Sequence, residues 1–402
     1  MQLPTLNQAD LKGKKVLLRA GFDVPIEDGQ VHDTTRIDAI MPTMKHILDS
    51  GASLIIMAHQ GRPKGEPNPE FSQKPLVVVL EKLLGVPVKF AEKCDGDDAK
   101  QIAQSLQPGE VLLLENLRFE KGEKSKDQSQ RDLLGQSLAA LADVYVNDAF
   151  TNCHRDHASM TSVPKFMVEK YMGLNVQKEV EGLSKVNQDP AQPVTLIISG
   201  LKMETKIPVI QQFLDRGDNI LVGGGVANTL LKARGFDLAK SRYDEDFLEL
   251  AQELMLESEQ EDKAKISVPC DGIVATRSTD DAEKLDVPLE DIEGDMAMYD
   301  IGTVTLGHYI DVIKQSKTIV WNGPMGMYEV EGFSNGTKNI AEAVKEATAA
   351  GAVSIVGGGD TLDFHERYGY SLDAYTFVST AGGAMLDFIS GKELPALEAL
   401  CA

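Results

Sequence analysis

Short apolar runs alternate along the chain with longer stretches of helical periodicity. In the first half, the apolar runs cover residues 15–24, 53–58, 87–91, 111–115 and 144–147. In the second half, they cover residues 194–199, 219–222, 265–269, 296–301, 318–321, 353–356 and 374–379. Several are unbroken stretches of Val, Ile and Leu, which is typical of strands buried on both faces of a parallel sheet. The alternation therefore predicts an α/β fold in which helices cover parallel sheets.

The length of the chain and one polar segment predict two domains. A chain of 402 residues is too long for one ordinary core and suits two domains of about 200 residues each. Residues 176–186 have a helical pattern, and the polar residues 187–193 that follow contain two prolines, as linkers often do. We therefore place an N-terminal domain at residues 1–172, an inter-domain helix and linker at 173–193, and a C-terminal domain from residue 194 onward.

The overall charge disfavours two classes of partner. The formal net charge is −22, whereas binding to nucleic acid or to an anionic membrane requires a basic surface. No apolar run approaches the ~20 residues that span a bilayer, and the N-terminus lacks the basic and apolar parts of a secretory signal. The cysteines are Cys94, Cys153, Cys270 and Cys401. Their spacing fits no metal site and indicates free thiols, so we expect a cytoplasmic protein without nucleic-acid or membrane partners.

Basic and polar side chains follow the predicted strands of the first half. They are Arg19 and Asp23, the segment from His59 to Arg62, Arg118, and the pair His154 and Arg155. Because ligands of open α/β sheets bind outside the carboxyl ends of the strands, these groups are expected to converge at one edge. Arginine binds carboxylate or phosphate in a bidentate fork. This half is therefore predicted to hold a small, strongly charged acid.

Several of these residues also have a purely structural interpretation. Arg131 lies in a polar helical stretch and is interpreted as a surface residue. Arg19 lies within a predicted strand, where a structural ion pair is the alternative role. His59 and His154, taken alone, are as well explained by packing or capping. They are not a metal pair, because no third ligand has suitable spacing.

Glycine-rich segments follow the predicted strands of the second half, at residues 223–225, 322–326, 357–361 and 379–383. Glycine lets the backbone approach a phosphate chain, and the N-terminus of a following helix offers N–H groups. This half is therefore predicted to bind a nucleotide. A Walker A motif is absent, and the segment from Gly223 to Asn228 lacks the last glycine of the dinucleotide fingerprint, which disfavours a dehydrogenase.

Three charged side chains beside these glycines suggest phosphate and metal chemistry. Lys202 and Lys206 are four residues apart and are predicted to share one helix face near its N-terminus. Their charges oppose the helix dipole there, which favours an anion between them, although an ordinary exposed pair has the same spacing. Asp360 follows three glycines and either coordinates Mg²⁺ or caps the next helix. Trp321, the only tryptophan, is predicted to lie in the core.

Taken in order, these segments resemble a known family along the whole chain. The matching segments are Leu17-Leu-Arg19, Thr35-Arg36-Ile37, His59-Gln-Gly-Arg-Pro63, Leu114-Glu-Asn-Leu-Arg-Phe119, Val146-Asn-Asp-Ala-Phe150, Val222-Gly-Gly-Gly225, Trp321-Asn-Gly-Pro-Met-Gly326, Gly357-Gly-Gly-Asp-Thr361, Ser379-Thr-Ala-Gly-Gly-Ala384 and Gly391-Lys-Glu-Leu-Pro395. The chain resembles the phosphoglycerate kinases. The resemblance implies two Rossmann-like domains joined by a hinge, the second at residues 194–379, and a C-terminal segment, 380–402, that packs on the N-terminal domain.

The resemblance also implies an activity and the residues that carry it. The activity is reversible, Mg²⁺-dependent phosphoryl transfer between ATP and the carboxylate of 3-phosphoglycerate, giving ADP and 1,3-bisphosphoglycerate, by a monomeric glycolytic enzyme. The implied 3-phosphoglycerate site is Gly21, Phe22, Asp23, Arg36, His59, Gln60, Gly61, Arg62, Arg118 and Arg155. The implied nucleotide site is Lys206, Gly223, Asn322, Pro324, Glu329 at the ribose, Gly358, Gly359, Asp360 at Mg²⁺, and Thr361. The groups implied around the transferred phosphoryl are Arg36, Lys202, Lys206 and the backbone of Gly382 and Gly383.

One departure from the family pattern falls in the implied acid site. The family usually has Asp and Asn where this chain has Gly21 and Asp23. Residues two apart in extended chain face the same side, displaced by roughly 7 Å. We therefore hypothesise that Asp23 contacts the substrate hydroxyl. Milder departures are Leu201 before Lys202, Gln60, the missing proline after Gly302, and Leu362 with Asp363.

Two alternatives to an active kinase come from different functional classes. A catalytically weak relative that serves as a nucleotide- or acid-binding protein would be consistent with the departure at Gly21. Retention of Arg36, Lys202, Lys206 and Asp360 argues against it. A dehydrogenase would require a dinucleotide fingerprint near the start of a domain, and the sequence has none.

Overall fold

The computed structural model describes residues 3–27, 29–187 and 189–401. Contacts divide the chain into two compact units. The first unit comprises Met1–Glu181 together with Glu393–Ala402, and the second unit is Gly182–Lys392. Each unit contains a six-stranded sheet, which agrees with the predicted α/β fold.

The sheet of the first unit is parallel throughout. The strands of this unit are β1 (Lys15–Ala20), β2 (Ile26–Glu27), β3 (Gln30–Val31), β4 (Ser53–Met57), β5 (Val88–Ala91), β6 (Val111–Leu114), β7 (Val144–Asp148) and β8 (Glu169–Met172). Six of them form the sheet in the order β5-β6-β4-β1-β7-β8, and β2 pairs antiparallel with β3. The order reverses at β1, which has β4 on one side and β7 on the other, and ligands of such sheets bind at this point.

Helices pack around this sheet over an apolar core. They are α1 (Thr35–Asp49), α2 (Leu76–Leu84), α3 (Asp97–Ser105) and α4 (Gln128–Ala139). All five residues of β4 are buried, as expected for a strand covered on both faces. The helix predicted at residues 176–186 is α5 (Leu174–Asn187), and the division between the two units falls within it.

The second unit contains a parallel sheet and a smaller antiparallel one. Its strands are β9 (Val194–Ile198), β10 (Asn219–Val222), β11 (Lys265–Ser267), β12 (Asp271–Ala275), β13 (Leu285–Pro288), β14 (Ala297–Ile301), β15 (Thr318–Asn322), β16 (Val353–Gly357) and β17 (Phe377–Ser379). The parallel sheet has the order β11-β10-β9-β15-β16-β17, and the small sheet has the order β13-β12-β14. The run at residues 296–301 was expected in a parallel sheet. That expectation was wrong, because β14 pairs antiparallel with β12.

The helices of the second unit flank the parallel sheet. They are α6 (Ile207–Arg216), α7 (Gly224–Ala233), α8 (Leu248–Ser258), α9 (Thr303–Gln315), α10 (Asn335–Ala349), α11 (Gly359–Tyr368) and α12 (Gly383–Ile389). Trp321 is fully buried in the core of this unit, which confirms its predicted place. Among the described residues, none of the helices has the length and apolar character that crossing a membrane requires.

The observed division of the chain differs in detail from the predicted domains. The predicted bounds lie at residues 172 and 194, whereas the observed division lies between Glu181 and Gly182. Of the segment 380–402, residues 380–392 belong to the second unit by their contacts. Residues from Glu393 onward belong to the first unit, and they include the last helix, α13 (Pro395–Cys401).

Candidate active site

Predicted site residues from three segments meet at the carboxyl edge of the first unit's sheet. Asp23, which follows β1, accepts a hydrogen bond at Oδ1 from the backbone N–H of Gly61 over 2.9 Å. Its Oδ2 lies 3.6 Å from His59 Nε2 and 3.8 Å from Arg36 Nη1. Burial alone would raise the pKa of Asp23, but the nearby His59 N–H, the hydrogen bond from Gly61 and the charge of Arg36 lower it to about 2. Asp23 is therefore an ionised acceptor at neutral pH.

The imidazole of His59 is buried and its two nitrogens have distinct roles. Arg19 Nη2 lies 3.0 Å from His59 Nδ1. Because a guanidinium can only donate, Nδ1 accepts and the proton of the neutral ring is on Nε2. Burial and the charges of Arg19 and Arg118 lower the pKa of His59 to about 4. His59 therefore presents an N–H donor toward Asp23 at neutral pH.

Positive charge concentrates at the same edge. Burial and the charge of Arg155 lower the pKa of Arg118 to about 10, and burial and the charge of Arg62 lower the pKa of Arg155. Burial and three nearby arginines lower the pKa of His157 to about 3. Like charges brought this close raise the free energy of the site unless an anion compensates them. His157 was not predicted, and its only signal in the sequence is its position two residues after Arg155.

Other residues predicted to bind the acid are occupied within the fold. The Gln60 amide exchanges hydrogen bonds with the backbone of Val24, accepting from its N–H over 3.3 Å and donating to its carbonyl. Gly61 has a φ of +58°, and a Cβ there would lie 2.3 Å from the ring of Phe71. The side chain of Phe22 is fully buried in the core. At Phe22, therefore, only the backbone is available to a substrate, whereas the N–H of Gly61 already donates to Asp23 and its carbonyl accepts from Arg118.

Two arginines of the first unit have structural partners. Arg131 was expected at the surface, but that expectation was wrong, because the residue is buried and its Nη2 lies 2.6 Å from Asp156 Oδ2. Arg19 is fully buried, and its Nε donates to Ser159 Oγ over 3.0 Å. The Ser159 hydroxyl in turn donates to the buried Glu123 at Oε1 over 2.6 Å. Arg19 therefore balances a buried carboxylate through a serine hydroxyl.

In the second unit, the two predicted lysines precede a helix instead of sharing its face. α6 begins at Ile207, and Lys206 occupies the N-cap position, so the prediction of a common helix face was wrong. Lys202 is exposed, whereas Lys206 donates through Nζ to Asn322 Oδ1. Burial lowers the pKa of Lys206 to about 8, although the nearby charge of Asp360 opposes this. Lys206 is therefore a largely desolvated cation at the carboxyl edge of the second sheet.

Hydrogen bonds fix the loop after β15 against the turn after β16. Asn322 Nδ2 donates to the carbonyl of Gly357 over 2.8 Å. The backbone N–H of Gly323 donates to Thr361 Oγ1, also over 2.8 Å. Two segments that are distant in sequence therefore form one rigid surface beside Lys206.

The glycines of this surface fall into two groups, those that pack closely against another loop and those that face open space. A Cβ at Gly223 would lie 2.9 Å from a methionine sulfur of the β15 loop, and one at Gly358, whose φ is +105°, would lie 2.6 Å from Asn322 Nδ2. These two positions are glycine because the loops pack closely on each other. At Gly359 and Gly382, by contrast, no atom apart from the adjacent residues and the local helix backbone lies within 4 Å of a Cβ. The open space in front of these two backbone segments is where a phosphate group can approach.

The remaining predicted nucleotide residues differ in accessibility. Pro324 is buried, and its carbonyl accepts a hydrogen bond from a serine hydroxyl of the β9 loop over 2.6 Å. Glu329 and Gly383 are exposed. Asp360 is also exposed and is the second residue of α11, whose N-cap is Gly358. The capping role considered for Asp360 was therefore wrong, and its carboxylate is available to a ligand.

Comparisons with known proteins agree with this arrangement. The family model described as "Phosphoglycerate kinase" matches residues 6–392. The phosphoglycerate kinase of Finegoldia magna is 42% identical over 402 residues, covering 100% of this chain and 99% of the relative. That of Thermosipho africanus is 40% identical over 402 residues, covering 100% of this chain and 98% of the relative.

Solved structures give the same result. The phosphoglycerate kinase of Coxiella burnetii superposes with a TM-score of 0.87 at 34% identity, covering 100% of this chain and 99% of that one. The enzyme of Pyrococcus horikoshii superposes with a TM-score of 0.84 at 31% identity, covering 99% of this chain and 98% of that one. The chain therefore belongs to the phosphoglycerate kinase family, whose activity is phosphoryl transfer to a carboxylate.

Proposed function

We propose that the first unit binds 3-phosphoglycerate, that the second binds Mg-ATP, and that the γ-phosphoryl of ATP passes reversibly to the carboxylate of the acid. The observation that carries this assignment is the cationic edge of the first sheet in a chain of net charge −22. Such an edge is the kind of site that a small polyanion requires. The free thiols of the four cysteines are consistent with a cytoplasmic enzyme, which we propose to be a monomer.

Within the acid site, the roles follow from donor and acceptor chemistry. Arg62, Arg118 and Arg155 are proposed to bind the phosphate and carboxylate groups through bidentate hydrogen bonds. His59 is proposed to donate from Nε2, and Asp23 to accept from the substrate hydroxyl. These assignments use the protonation states that the surroundings of both side chains favour.

Within the nucleotide site, the residues present fit a phosphate chain with a magnesium ion. Asp360 is an exposed carboxylate beside the open backbone of Gly359. Across the described ranges, no group of three or more His, Cys, Asp or Glu side chains could hold a metal alone. Mg²⁺ commonly takes one or two carboxylates and completes its shell with substrate phosphates and water, so Asp360 would hold it. When bound, the ion would neutralise charge on the phosphate oxygens.

The transfer needs positioning and charge neutralisation more than proton transfer. The attacking carboxylate is already anionic, so the protein need not supply a strong general base. Arg36, Lys202 and Lys206 are proposed to stabilise the charge of the transferred phosphoryl, together with the backbone of Gly382 and Gly383. The two bound substrates must meet for transfer, and we therefore propose that a hinge closes during each cycle and expels water.

Separate binding measurements test the assignment of the two substrates. Calorimetric titration of Arg118→Met with 3-phosphoglycerate should show affinity about 10–100-fold weaker than that of the unaltered protein, because charge-assisted hydrogen bonds are lost. Its affinity for Mg-ATP should change less than twofold. Asp360→Asn should show the opposite pattern, with a weakened affinity for Mg-ATP and an affinity for 3-phosphoglycerate that changes less than twofold. If either variant weakened both ligands equally, the proposed division between the units would be wrong.

The pKa of Lys206 predicts an alkaline limit to activity. Burial lowers this pKa to about 8, so the side chain is charged below that pH and loses its charge above it. We expect kcat/KM for ATP to fall as the pH rises through about 8, since this ratio reports on the free enzyme. The corresponding fall in kcat should occur at higher pH, because bound phosphates favour the charged form of the lysine. In Lys206→Arg, kcat/KM for ATP should no longer fall above about pH 8. If this fall persisted in the variant, it would belong to the titration of another group.

Exchanging the residues at positions 21 and 23 tests the role of Asp23. A Cβ at Gly21 would meet its nearest neighbour at 3.6 Å, which is ordinary contact. A Cβ therefore fits there without displacing its neighbours. We expect Gly21→Asp with Asp23→Asn to leave the KM for 3-phosphoglycerate unchanged or to lower it. Asp23→Asn alone, the matched control, should raise this KM severalfold because the carboxylate is not replaced. A large rise in the double variant would contradict the hypothesis.

A further inference from the structure

A buried histidine on α11 makes two directional hydrogen bonds behind the nucleotide turn. His365 Nδ1 lies 2.7 Å from the carbonyl oxygen of Thr361, and His365 Nε2 lies 2.8 Å from the hydroxyl of Tyr375. A carbonyl can only accept, so Nδ1 carries the proton. Nε2 therefore accepts from the Tyr375 hydroxyl. Burial lowers the pKa of His365, which is consistent with this neutral form.

Thr361 connects this histidine to the residues that face the nucleotide. Its carbonyl accepts from His365, and its hydroxyl oxygen accepts from the backbone of Gly323. The neighbouring Asn322 contacts Lys206 through its side-chain oxygen. Hydrogen bonds, together with the peptide bond between Asn322 and Gly323, thus connect Tyr375 to the desolvated Lys206.

The same series passes beside the only tryptophan of the chain. The ring of Trp321 lies 5.3 Å from that of His365 and 6.3 Å from that of Tyr375, measured between centroids. Its Nε1 donates to the carbonyl of Gly323 over 2.9 Å. Thr361, His365 and Trp321 are all fully buried. Water therefore has little access to replace a lost hydrogen bond, and the indole reports on this network directly.

We propose that His365, held by Tyr375, is a positioning residue for the nucleotide turn. It fixes the carbonyl of Thr361, the third residue of α11, and thereby the placement of Asp360 and of the Gly323 backbone. Neither His365 nor Tyr375 is proposed to touch ATP. The inference rests on the proposed function, because it assigns these two residues an effect on ATP binding and none on the acid site.

Steady-state kinetics with two variants test this role. His365→Phe keeps an aromatic ring and removes both hydrogen bonds, and we expect the KM for ATP to rise about five- to tenfold. The KM for 3-phosphoglycerate should change less than twofold. Tyr375→Phe removes one hydroxyl and should raise the KM for ATP by about two- to threefold. The emission of Trp321 should shift in both variants.

Tyr370→Phe is the matched control, because it removes a hydroxyl from the same aromatic cluster. The Tyr370 ring lies 6.1 Å from that of His365 between centroids, and the variant should leave both KM values unchanged.

The outcomes distinguish the positioning role from the proposed function. If the unaltered protein failed to bind Mg-ATP in calorimetry, the assignment of the nucleotide site would be wrong. If it bound Mg-ATP and both variants bound equally well, the positioning role would be overturned. An equal rise in both KM values with a lower melting temperature would show a merely structural role. Should His365→Phe fail to fold, Tyr375→Phe decides by the same criteria.

Discussion

Lys206→Ala is expected to lower kcat/KM for ATP by about 10²–10³-fold. Lys206 is largely desolvated, and Asn322 holds its ammonium group at the carboxyl edge of the second sheet. A fixed charge in a water-poor site stabilises developing charge without reorganisation, and loss of one such group typically costs 10²–10³ in rate. Steady-state kinetics at pH 7, where the unaltered lysine is charged, measure the effect.

An exposed lysine at the far end of β15 provides the control. Lys317 immediately precedes β15, at the end of the strand opposite Asn322, and is exposed. Lys317→Ala removes the same charge from the chain and should leave kcat/KM within twofold. If both variants lost activity equally, the effect would belong to net charge and the assignment of Lys206 would be wrong.

Arg19→Met is expected to lower the free energy of unfolding of the first unit by about 3–5 kcal/mol. Arg19 and Glu123 are both buried and are joined through the Ser159 hydroxyl. Removing one member of a buried charged pair leaves the other without compensation, which typically costs this amount. Urea unfolding followed by far-ultraviolet circular dichroism measures the change, while the fluorescence of Trp321 reports on the second unit.

Two further variants separate charge from packing at this position. Arg19→Met with Glu123→Leu removes both buried charges and should recover part of the lost stability, since apolar replacements of buried pairs are often neutral. Arg234→Met, at an exposed position, should change stability by less than about 0.5 kcal/mol. If the double variant lost as much free energy of unfolding as Arg19→Met and Glu123→Leu lose together, the buried charges of Arg19 and Glu123 would not compensate each other.

The central parallel strands were predictable because burial on both faces leaves an unbroken apolar run. β4 and β15 are examples, with every residue buried. Whether a strand pairs parallel or antiparallel leaves no such pattern in the sequence. The run that becomes β14 was therefore assigned to a parallel sheet, although it pairs antiparallel. The edge strand β8 is mostly half-buried and has too little apolar character to stand out from its surroundings.

The convergence of side chains at the proposed acid site was predictable where topology alone brings residues together. Asp23, His59 and Arg118 follow adjacent parallel strands, so their convergence follows from the order of the strands. Arg131 was misassigned because its partner Asp156 is distant along the chain, and a polar helix gives no sign of it. The position of Lys206 had an overlooked signal: Pro208 lies in the first turn of α6, where proline commonly marks the start of a helix.

The nucleotide site shows where sequence reasoning stops. Glycine-rich segments predicted the surface, but the sequence does not distinguish Gly358, which is required by packing, from Gly359, which faces open space. That difference depends on the position of Asn322, which comes from another strand. His365 had no signal at all, because its role exists only where Tyr375 is folded against it.

A coupled assay tests the central claim most directly. The protein is mixed with Mg-ATP and 3-phosphoglycerate, and 1,3-bisphosphoglycerate is followed through its reduction by a dehydrogenase that consumes NADH. We predict turnover that requires both substrates and Mg²⁺, and its loss in a folded Arg36→Ala variant, because Arg36 lies beside Asp23 at the acid site and is proposed to neutralise the transferred group. Absence of turnover in the unaltered protein, with Mg-ATP binding intact, would contradict the account and direct attention to Gly21.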